Sequence, residues 1–274
     1  MGKLVTAAQK HQMMTKLLAS PKGRRRIAAA MQEPLRKYRD YVSVGRKTLF
    51  VDELPDGTLP VYDKDIDTPA YIVGEEGDSI QQLVRGVRML VPLFEIASLP
   101  KVPFTQVKER RFDIIRRIKQ KARFELFRRE DQKIFNTYYV SGSSNAINTK
   151  ITEAVADFSM DTLVDAFARV ERHNLRVDKI VCNPNEYRVF RKAGRDYVDF
   201  ETQRELLRTG FMGTVWGAQI YQSVAVPEGY LFVLTEPEFL GVMPVRIDLT
   251  VIPADDPINR AFGWSLFENI GLVS

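Results

Sequence analysis

Residues 107–139 form a long stretch of this sequence that contains neither proline nor glycine. Apolar side chains recur in it at helical spacing and fall on one face: Ile115, Ile118, Ala122, Leu126 and Ile134. About 28 residues at 1.5 Å rise per residue would make a helix roughly 40 Å long, which exceeds the usual globular helix. The pattern therefore predicts one long helix whose apolar face packs on another element.

The other faces of this predicted helix are strongly basic. Their cations are Lys108, Arg110, Arg111, Arg116, Arg117, Lys119, Lys121, Arg123, Arg128, Arg129 and Lys133. The acidic residues set against them are Glu109, Asp113, Glu125, Glu130 and Asp131. Two interpretations stay open: a solvated surface helix, or a helix whose basic side meets an acidic partner.

Composition narrows the class of protein. The chain has 274 residues, 45% of them hydrophobic, which suits one or two domains. A single cysteine, Cys182, rules out an intrachain disulfide, and two histidines argue against a zinc site or a histidine triad. No apolar run reaches about 18 residues, and no signal-peptide hydrophobic region is present, so we expect a soluble, reduced, intracellular protein.

The first 40 residues are basic, with a dense cluster at Lys22, Arg24, Arg25 and Arg26. One interpretation is a solubilising and partly disordered arm. The other is an arm that contacts a neighbouring subunit or a nucleic-acid backbone, since such clusters release counterions from phosphates. No aromatic residues interleave with the cluster, so sequence-specific base recognition is not expected.

Residues 43–80 are acidic and extended. Two alternating runs, 48–53 and 68–73, flank the turn signal Asp56-Gly57, which predicts a hairpin between them. An isolated hairpin of this kind is only marginally stable. Its acidic charge is complementary to the basic charge of the long helix. A short helix at 80–88 and an apolar strand at 89–99, with Pro92 marking an edge or a bulge, follow it.

The chain from the flexible joint at 141–145 onward alternates between helix and strand. The pattern predicts helices at 161–174, 185–192 and 199–208, and strands at 177–182, 218–223, 230–235 and 241–251, followed by an apolar segment at 262–273. Gly213, Gly217, Pro227 and Gly229 are predicted to form structural turns. No arrangement of nucleophile, base and orienting group stands out, so neither enzymatic activity, a metal nor a cofactor is predicted.

Three segments carry a resemblance to a known family: IVCNPNEY at 180–187, GTVWGAQI at 213–220 and SVAVPEG at 223–229. With the order of basic arm, acidic hairpin, long helix and α/β region, the chain resembles the tailed-bacteriophage major capsid proteins of the Hong Kong 97 type. The resemblance implies an α+β fold with an N-terminal arm (1–42), an extended β-hairpin E-loop (43–80) and two domains. These are a peripheral P-domain (81–140 and 244–274, with the spine helix at about 107–139) and an axial A-domain (141–243).

The resemblance also implies a function. The chain would be a structural protein that self-assembles, as hexamers and pentamers, into the icosahedral head enclosing phage double-stranded DNA. It would lie in the virion capsid after assembly in the host cytoplasm. Packaged DNA would be a non-specific partner, separate scaffolding, portal or decoration proteins are allowed, and no membrane or cofactor is implied.

The residues expected to act in such a shell form three groups. The E-loop contacts between subunits are Arg46, Lys47, Asp52, Glu53, Asp63, Asp65 and Asp67. The spine-helix contacts are Arg116, Arg117, Lys119, Lys121, Arg123 and Arg128. The arm residues that would face DNA are Lys22, Arg24, Arg25 and Arg26.

Two rival interpretations remain. Encapsulins, bacterial shells that hold a cargo enzyme, share the fold, and SVGRKTLFV at 43–51 resembles the start of their E-loop. The arginine-rich arm favours a shell lined with DNA. The second alternative is a different class of protein, a monomer that binds nucleic acid. This interpretation assigns no role to the acidic hairpin.

Overall fold

The computed structural model describes residues 16–17, 20–63, 87–103, 105, 113–143, 151, 159–192 and 213–274. Its helices are α1 (Pro21–Val42), α2 (Asp113–Ser143), α3 (Met160–Glu171), α4 (Pro184–Lys192) and α5 (Pro237–Leu240), with a 3₁₀ turn at Gly45–Lys47. Its first strands are β1 (Phe50–Glu53), β2 (Val61–Asp63), β3 (Arg88–Leu90), β4 (Leu93–Ser98) and β5 (Lys101–Pro103). The remaining strands are β6 (Val177–Cys182), β7 (Thr214–Val215), β8 (Ala218–Gln222), β9 (Leu231–Thr235), β10 (Val242–Pro253) and β11 (Ala261–Gly271).

A five-stranded sheet is built around the long antiparallel pair β10 and β11. Its order is β1-β10-β11-β4, and β5 pairs with the far end of β11. Strand β1 runs parallel to β10, with Phe50 opposite Val242. The chain thus brings residues from its first fifth and its last tenth into one sheet, a non-local pairing that sequence periodicity cannot reveal.

One face of this sheet is covered by two helices, α1 and α2. Ala28, Met31 and Leu35 of α1 share a buried cluster with Ala122 and Leu126 of α2. The sheet contributes alternate residues of β10 and β11 to the same cluster: Leu249, Val251, Trp264 and Leu266. Because alternate strand residues point to one face, both helices lie on the same side of the sheet.

Helix α1 is held on β10 by polar contacts as well. Arg24 lies 2.8 Å from the Asp255 carboxylate and its guanidinium stands over the Phe262 ring. Arg36 lies 2.9 Å from the Asp248 carboxylate. Ser20 caps the helix, since its Oγ accepts a bond of 3.0 Å from the Gly23 N–H. Residues 21–42 therefore form an ordered, packed helix, and the interpretation of a partly disordered arm is wrong for them.

A second, four-stranded sheet has the order β7-β8-β6-β9. Helices α3 and α4 pack on it through Leu163, Phe167, Tyr187 and Phe190. Ser159 caps α3, as its side chain accepts a 3.2 Å bond from the Thr162 N–H. The predicted strand at 177–182 is confirmed residue for residue, because its apolar run is bounded by the Asn-Pro pair that begins α4.

Helix α2 connects the two sheets. Ile134, Phe135 and Tyr138 in its second half are buried in a cluster with Met243 and Ile270 of the five-stranded sheet. The same cluster includes three residues of the second sheet and its loops, Val181, Val226 and Leu234. At 1.5 Å per residue its 31 residues span about 46 Å, which is the length needed to pack on both sheets.

The prediction of a long helix is confirmed, with two differences in detail. The helix ends at Ser143, four residues beyond the predicted end, and positions 107–112 lie outside the described residues. Ala122, Leu126 and Ile134 are buried as predicted, but so are Glu130 and Asp131. The expectation that both acids lie on the basic outer faces is wrong, because the buried stripe turns around the helix as α2 passes from one sheet to the other.

The predicted hairpin is wrong in its pairing. Strand β1 joins β10, and the hairpin strands are β2 and β3, with Val61 opposite Leu90. Asp56-Gly57 does form a turn, with Gly57 at a φ of +81°, but it directs the chain from the sheet into the hairpin. The second predicted run, 68–73, lies outside the described residues, as do the predicted helix at 199–208 and most of the one at 80–88.

Most of the other predicted elements are confirmed, and their ends differ from the predicted ends by no more than three residues. The apolar strand at 89–99 is two strands, β3 and β4, separated at Pro92. Proline has no N–H to continue the ladder, so the chain leaves the hairpin at this point and enters the sheet.

Candidate functional site

A buried ionic cluster lies where the loop after α1, helix α2 and strand β11 meet. The Arg46 guanidinium contacts the Glu130 carboxylate through Nε and lies 3.2 Å from Glu268 through Nη2. Both glutamate side chains have no exposed surface, and that of Arg46 is 9% exposed. We call Arg46, Glu130 and Glu268 the buried hub. It ties three segments far apart in the sequence to one point.

Asp131 fixes the same loop from the next position of α2. Its Oδ1 accepts bonds from Ser43 Oγ at 2.8 Å and from the Gly45 N–H at 3.0 Å. Burial raises the pKa of the Asp131 carboxyl, while Ser43, the N–H groups of Gly45 and Val44, and the charge of Arg46 lower it. The net direction is upward, so ionised Asp131 carries a desolvation cost that its hydrogen bonds only partly offset.

Gly45 is required by close approach to α2. A methyl group at this position would lie 2.6 Å from Cδ1 of Ile134 and 2.8 Å from Oδ1 of Asp131. Thr48 completes the contact, with 2.6 Å between its Oγ1 and the Tyr138 hydroxyl. Burial raises the pKa of the Tyr138 hydroxyl, which therefore stays protonated and able to donate. The loop at 43–48 is thus anchored on three successive turns of α2.

The structure places the predicted E-loop contact residues in different environments. Arg46 lies in the buried hub, Lys47 stands over the Tyr221 ring at 5.6 Å, and Asp52 accepts a 2.6 Å bond from the Tyr62 hydroxyl. Glu53 and Asp63 are exposed, and Asp63 lies 3.5 Å from Arg88 across the hairpin. Asp65 and Asp67 lie outside the described residues. Arg46 and Asp52 thus have partners within their own chain.

Most of the predicted basic residues whose side chains the structure describes on the two helices are exposed. The structure describes ten exposed charged side chains on α1 and α2: Lys22, Arg25, Arg26, Glu33, Arg117, Lys121, Glu125, Arg128, Arg129 and Lys133. Eight of these ten are cations. Arg24 is bound to Asp255, Arg123 is half-buried, and the side chains of Arg116 and Lys119 lie outside the described residues. We call the eight exposed cations the basic helix face.

The predicted turn residues shape the loops of the second sheet. Gly217 has a φ of +86° between β7 and β8, and Gly229 has a φ of +80° before β9. The Gly213 carbonyl accepts a bond from the Ile220 N–H at 2.8 Å, and that of Pro227 accepts one from the Tyr230 N–H at 3.3 Å.

Sequence reasoning missed the acidic members of the buried hub. Glu130 stands four residues after Leu126 and four before Ile134, so it lies on the apolar stripe of α2. A carboxylate at that position signals a buried cation partner. Glu268 alternates with Leu266 and Ile270 on the buried face of β11 and gives the same signal. Which cation meets them depends on the fold, because Arg46 is 84 positions from Glu130 and 222 from Glu268.

None of the helices in the described residues is long and apolar enough to cross a membrane. Among the same residues, no group of three or more histidine, cysteine, aspartate and glutamate side chains is placed to hold a metal ion.

Solved structures with the same fold were found by comparison of the coordinates. The chain superposes on a protein of Microbacterium phage Oxtober96 with a TM-score of 0.64 and 15% identity, covering 85% of this chain and 84% of that one. The capsid protein of a native GTA particle superposes with a TM-score of 0.55 and 16% identity, covering 83% of this chain and 84% of that one. The SrpI encapsulin of Synechococcus elongatus superposes with a TM-score of 0.50 and 13% identity, covering 86% of this chain and 82% of that one. No protein-family model and no curated protein matches the sequence.

These likenesses cover nearly the whole of each chain and define the fold. The protein has the Hong Kong 97-like capsid fold, an α+β architecture shared by phage capsid proteins and encapsulins, as its sequence predicts. The prediction of fold is confirmed.

Replacing Arg46 tests the buried hub. We expect Arg46→Ala to lower the free energy of unfolding by about 3–5 kcal/mol, because it leaves two buried carboxylates without their shared cation. Denaturant unfolding of the purified protein measures the change. Arg25→Ala is the matched control; Arg25 is exposed on α1, and its loss should change stability by less than about 0.5 kcal/mol. A loss below about 1 kcal/mol for Arg46→Ala would contradict the role of the hub.

Asp131 gives a pH-dependent prediction. Because its folded pKa is raised, the folded chain binds a proton more readily than the unfolded chain, and the stability from this site is present at low pH and lost as pH rises through the folded pKa. Asp131→Asn keeps an acceptor for Ser43 and Gly45 but cannot ionise. We therefore expect the stability of wild type relative to Asp131→Asn to fall as pH rises above about 4.

The control for this pH series is Asp131→Ala. It leaves the Ser43 hydroxyl and the Gly45 N–H buried without their acceptor, which should cost about 1–3 kcal/mol relative to Asp131→Asn at every pH. A stability difference between wild type and Asp131→Asn that stays constant or grows with pH would refute the assignment.

Proposed function

We propose that this protein is the structural subunit of an icosahedral shell, the major capsid protein of a tailed phage that encloses double-stranded DNA. The shared fold, matched along most of both chains to proteins of phage and GTA capsids, carries the proposal. The subunit would associate with copies of itself, act by assembly and carry out no catalytic step. In the infected cell it would assemble in the cytoplasm and remain in the virion capsid.

We infer the domains of such a subunit from the two sheets. The five-stranded sheet with α2 would correspond to the peripheral domain (81–140 and 244–274), and the four-stranded sheet would correspond to the axial domain (141–243). The arm would be 1–42 and the E-loop 43–80. Since β1 is a strand of the first sheet, the projecting part of the E-loop begins after the Asp56-Gly57 turn.

The charge of the helix layer supports a nucleic-acid-facing side. Eight of the ten exposed charged groups described on α1 and α2 are cations, although the chain as a whole carries a net charge of only +5. Charge of one sign on one face is what contact with a polyphosphate backbone requires, because each neutralised phosphate releases counterions. The basic helix face, including Lys22, Arg25 and Arg26, would therefore line the interior of the shell.

Electron microscopy of the purified protein tests the shell. We expect closed particles of uniform diameter, built from hexamers and pentamers, that protect nucleic acid from nuclease. A sample that remains monomeric by size-exclusion chromatography at low salt and high concentration would contradict any shell function and would favour the monomeric nucleic-acid-binding alternative.

An encapsulin is the second candidate, supported by the likeness to the SrpI encapsulin over most of both chains. The same particles separate the two candidates. Particles that contain a co-purifying enzyme and no protected nucleic acid would identify an encapsulin, whereas particles that take up DNA would support the phage capsid.

The E-loop would connect neighbouring subunits through charge. We propose that the acidic segment 52–67 of one copy lies near the basic side of α2 of the next, where Arg117, Lys121 and Arg128 are exposed. The triple variant with Asp63, Asp65 and Asp67 each changed to Lys should fold but assemble poorly, because it places cations against cations.

The control changes Asp165, Glu171 and Glu238, exposed acids of the second sheet region, to Lys and so alters the net charge by the same amount. Particle yield by sedimentation compares the two variants, and circular dichroism confirms that each is folded. Normal yield from the E-loop variant, or an equal loss in the control, would argue against this contact.

A further inference from the structure

A cleft lies between α2 and two turns of the second sheet. One turn connects β6 to α4 and the other connects β8 to β9. The cleft has a volume of about 790 Å³. Residues of α2 form one wall: Arg128, Arg129, Gln132, Lys133 and Asn136. The turns form the other wall, at 183–185 and 224–228.

Three cations stand together in this cleft. Arg128, Arg129 and Lys133 are exposed on α2, and within the described part of the chain no carboxylate forms an ion pair with any of them. Glu228 is the one carboxylate of the lining, and it accepts a bond of 3.3 Å from Asn185 on its own wall. The cleft therefore carries an uncompensated positive charge next to a folded wall.

The second wall is fixed before any ligand arrives. Asn183 Nδ2 donates to the Val226 carbonyl at 2.8 Å, which joins the two turns, and Asn183 Oδ1 accepts from the Asn185 N–H at 3.1 Å. Lys133 is positioned from the other side, with its Nζ 6.0 Å from the centre of the Phe94 ring. A ligand held by α2 in this cleft would thus meet a preformed surface, which lowers the entropic cost of binding.

The chemistry of the lining selects phosphate. Arg128 and Arg129 both line the cleft, and a guanidinium group presents a planar fork that matches phosphate oxygens in a bidentate manner. Among the described residues that line the cleft none is aromatic, so this lining offers no surface on which a base could stack. The ligand class is therefore a chain of phosphate groups without base recognition.

We propose that this cleft binds phosphate-bearing polyanions through Arg128, Arg129 and Lys133. The source is either a small polyphosphate or the phosphodiester backbone of a nucleic acid. Bound phosphate would neutralise the three cations and bridge α2 to the turns at 183–185 and 224–228, which stabilises the junction of the two sheets. The proposal concerns the single chain and does not require that the chain form a shell.

Titration of the purified full-length protein with sodium tripolyphosphate, at ionic strength held constant with NaCl, tests the site. We expect saturable binding by calorimetry and a rise in Tm. Arg128→Gln, Arg129→Gln and Lys133→Gln, combined in one variant, should weaken binding at least about tenfold, since the variant loses the charge-assisted hydrogen bonds of three cations to phosphate. The matched control combines Arg172→Gln, Arg176→Gln and Arg260→Gln, which removes the same charge from exposed positions outside the cleft and should change affinity less than about twofold.

Three results would overturn the proposal: no saturable binding by the wild-type protein, an equal loss of affinity in both variants, or equal binding of citrate at the same concentrations. The third would mean that any multivalent anion suffices.

A second titration, with a blunt duplex DNA of random sequence, identifies the source of the phosphate. If the cleft variant weakens tripolyphosphate binding and leaves duplex binding unchanged, the ligand is a small polyphosphate; if it weakens the binding of both, the ligand is a phosphodiester backbone. Either outcome supports the phosphate site, and particle formation is scored separately.

Discussion

The ion pairs of Arg46 with Glu130 and Glu268 are the contact on which the arrangement of this chain depends. They join a loop, a helix and a strand at one buried point. A buried carboxylate is costly to desolvate, and here two of them share one cation. The position of that cation is therefore strongly specified, because any other register of the loop would leave both carboxylates without Arg46. Asp131 holds the same loop through Ser43 and Gly45, which fixes where the chain departs toward β1 and the projecting hairpin.

Helix α2 connects the buried hub to both sheets. Its first half packs with α1 on the five-stranded sheet, and its second half packs against both sheets. The rotation of its buried stripe leaves an outer side that is basic from Arg117 to Lys133. The same helix therefore provides the mechanical connection between the sheets, the exposed cations proposed to meet nucleic acid or a neighbouring acidic loop, and one wall of the proposed phosphate cleft.

The surface of the chain agrees with a protein that acts by association. Exposed apolar residues occur on the hairpin, where Leu59, Val87 and Leu90 are each more than half exposed, and Ile258 at the β10–β11 turn is 90% exposed. Large exposed apolar residues on projecting elements are typical of surfaces that become buried in an assembly.

The sequence by itself determined the elements whose signals are local. The long helix is predicted by its apolar period and its lack of proline and glycine, and the strand at 177–182 by an apolar run that ends at Asn183-Pro184. The resemblance in the three segments 180–187, 213–220 and 223–229 also predicted the fold correctly. Tertiary structure decided the rest: that β1 pairs with β10 instead of with a hairpin partner, that Glu130 and Asp131 turn inward, and that Arg46 has partners within its own chain. These outcomes depend on residues far apart in the chain, and periodicity contains no information about which distant strand or charge completes a pair.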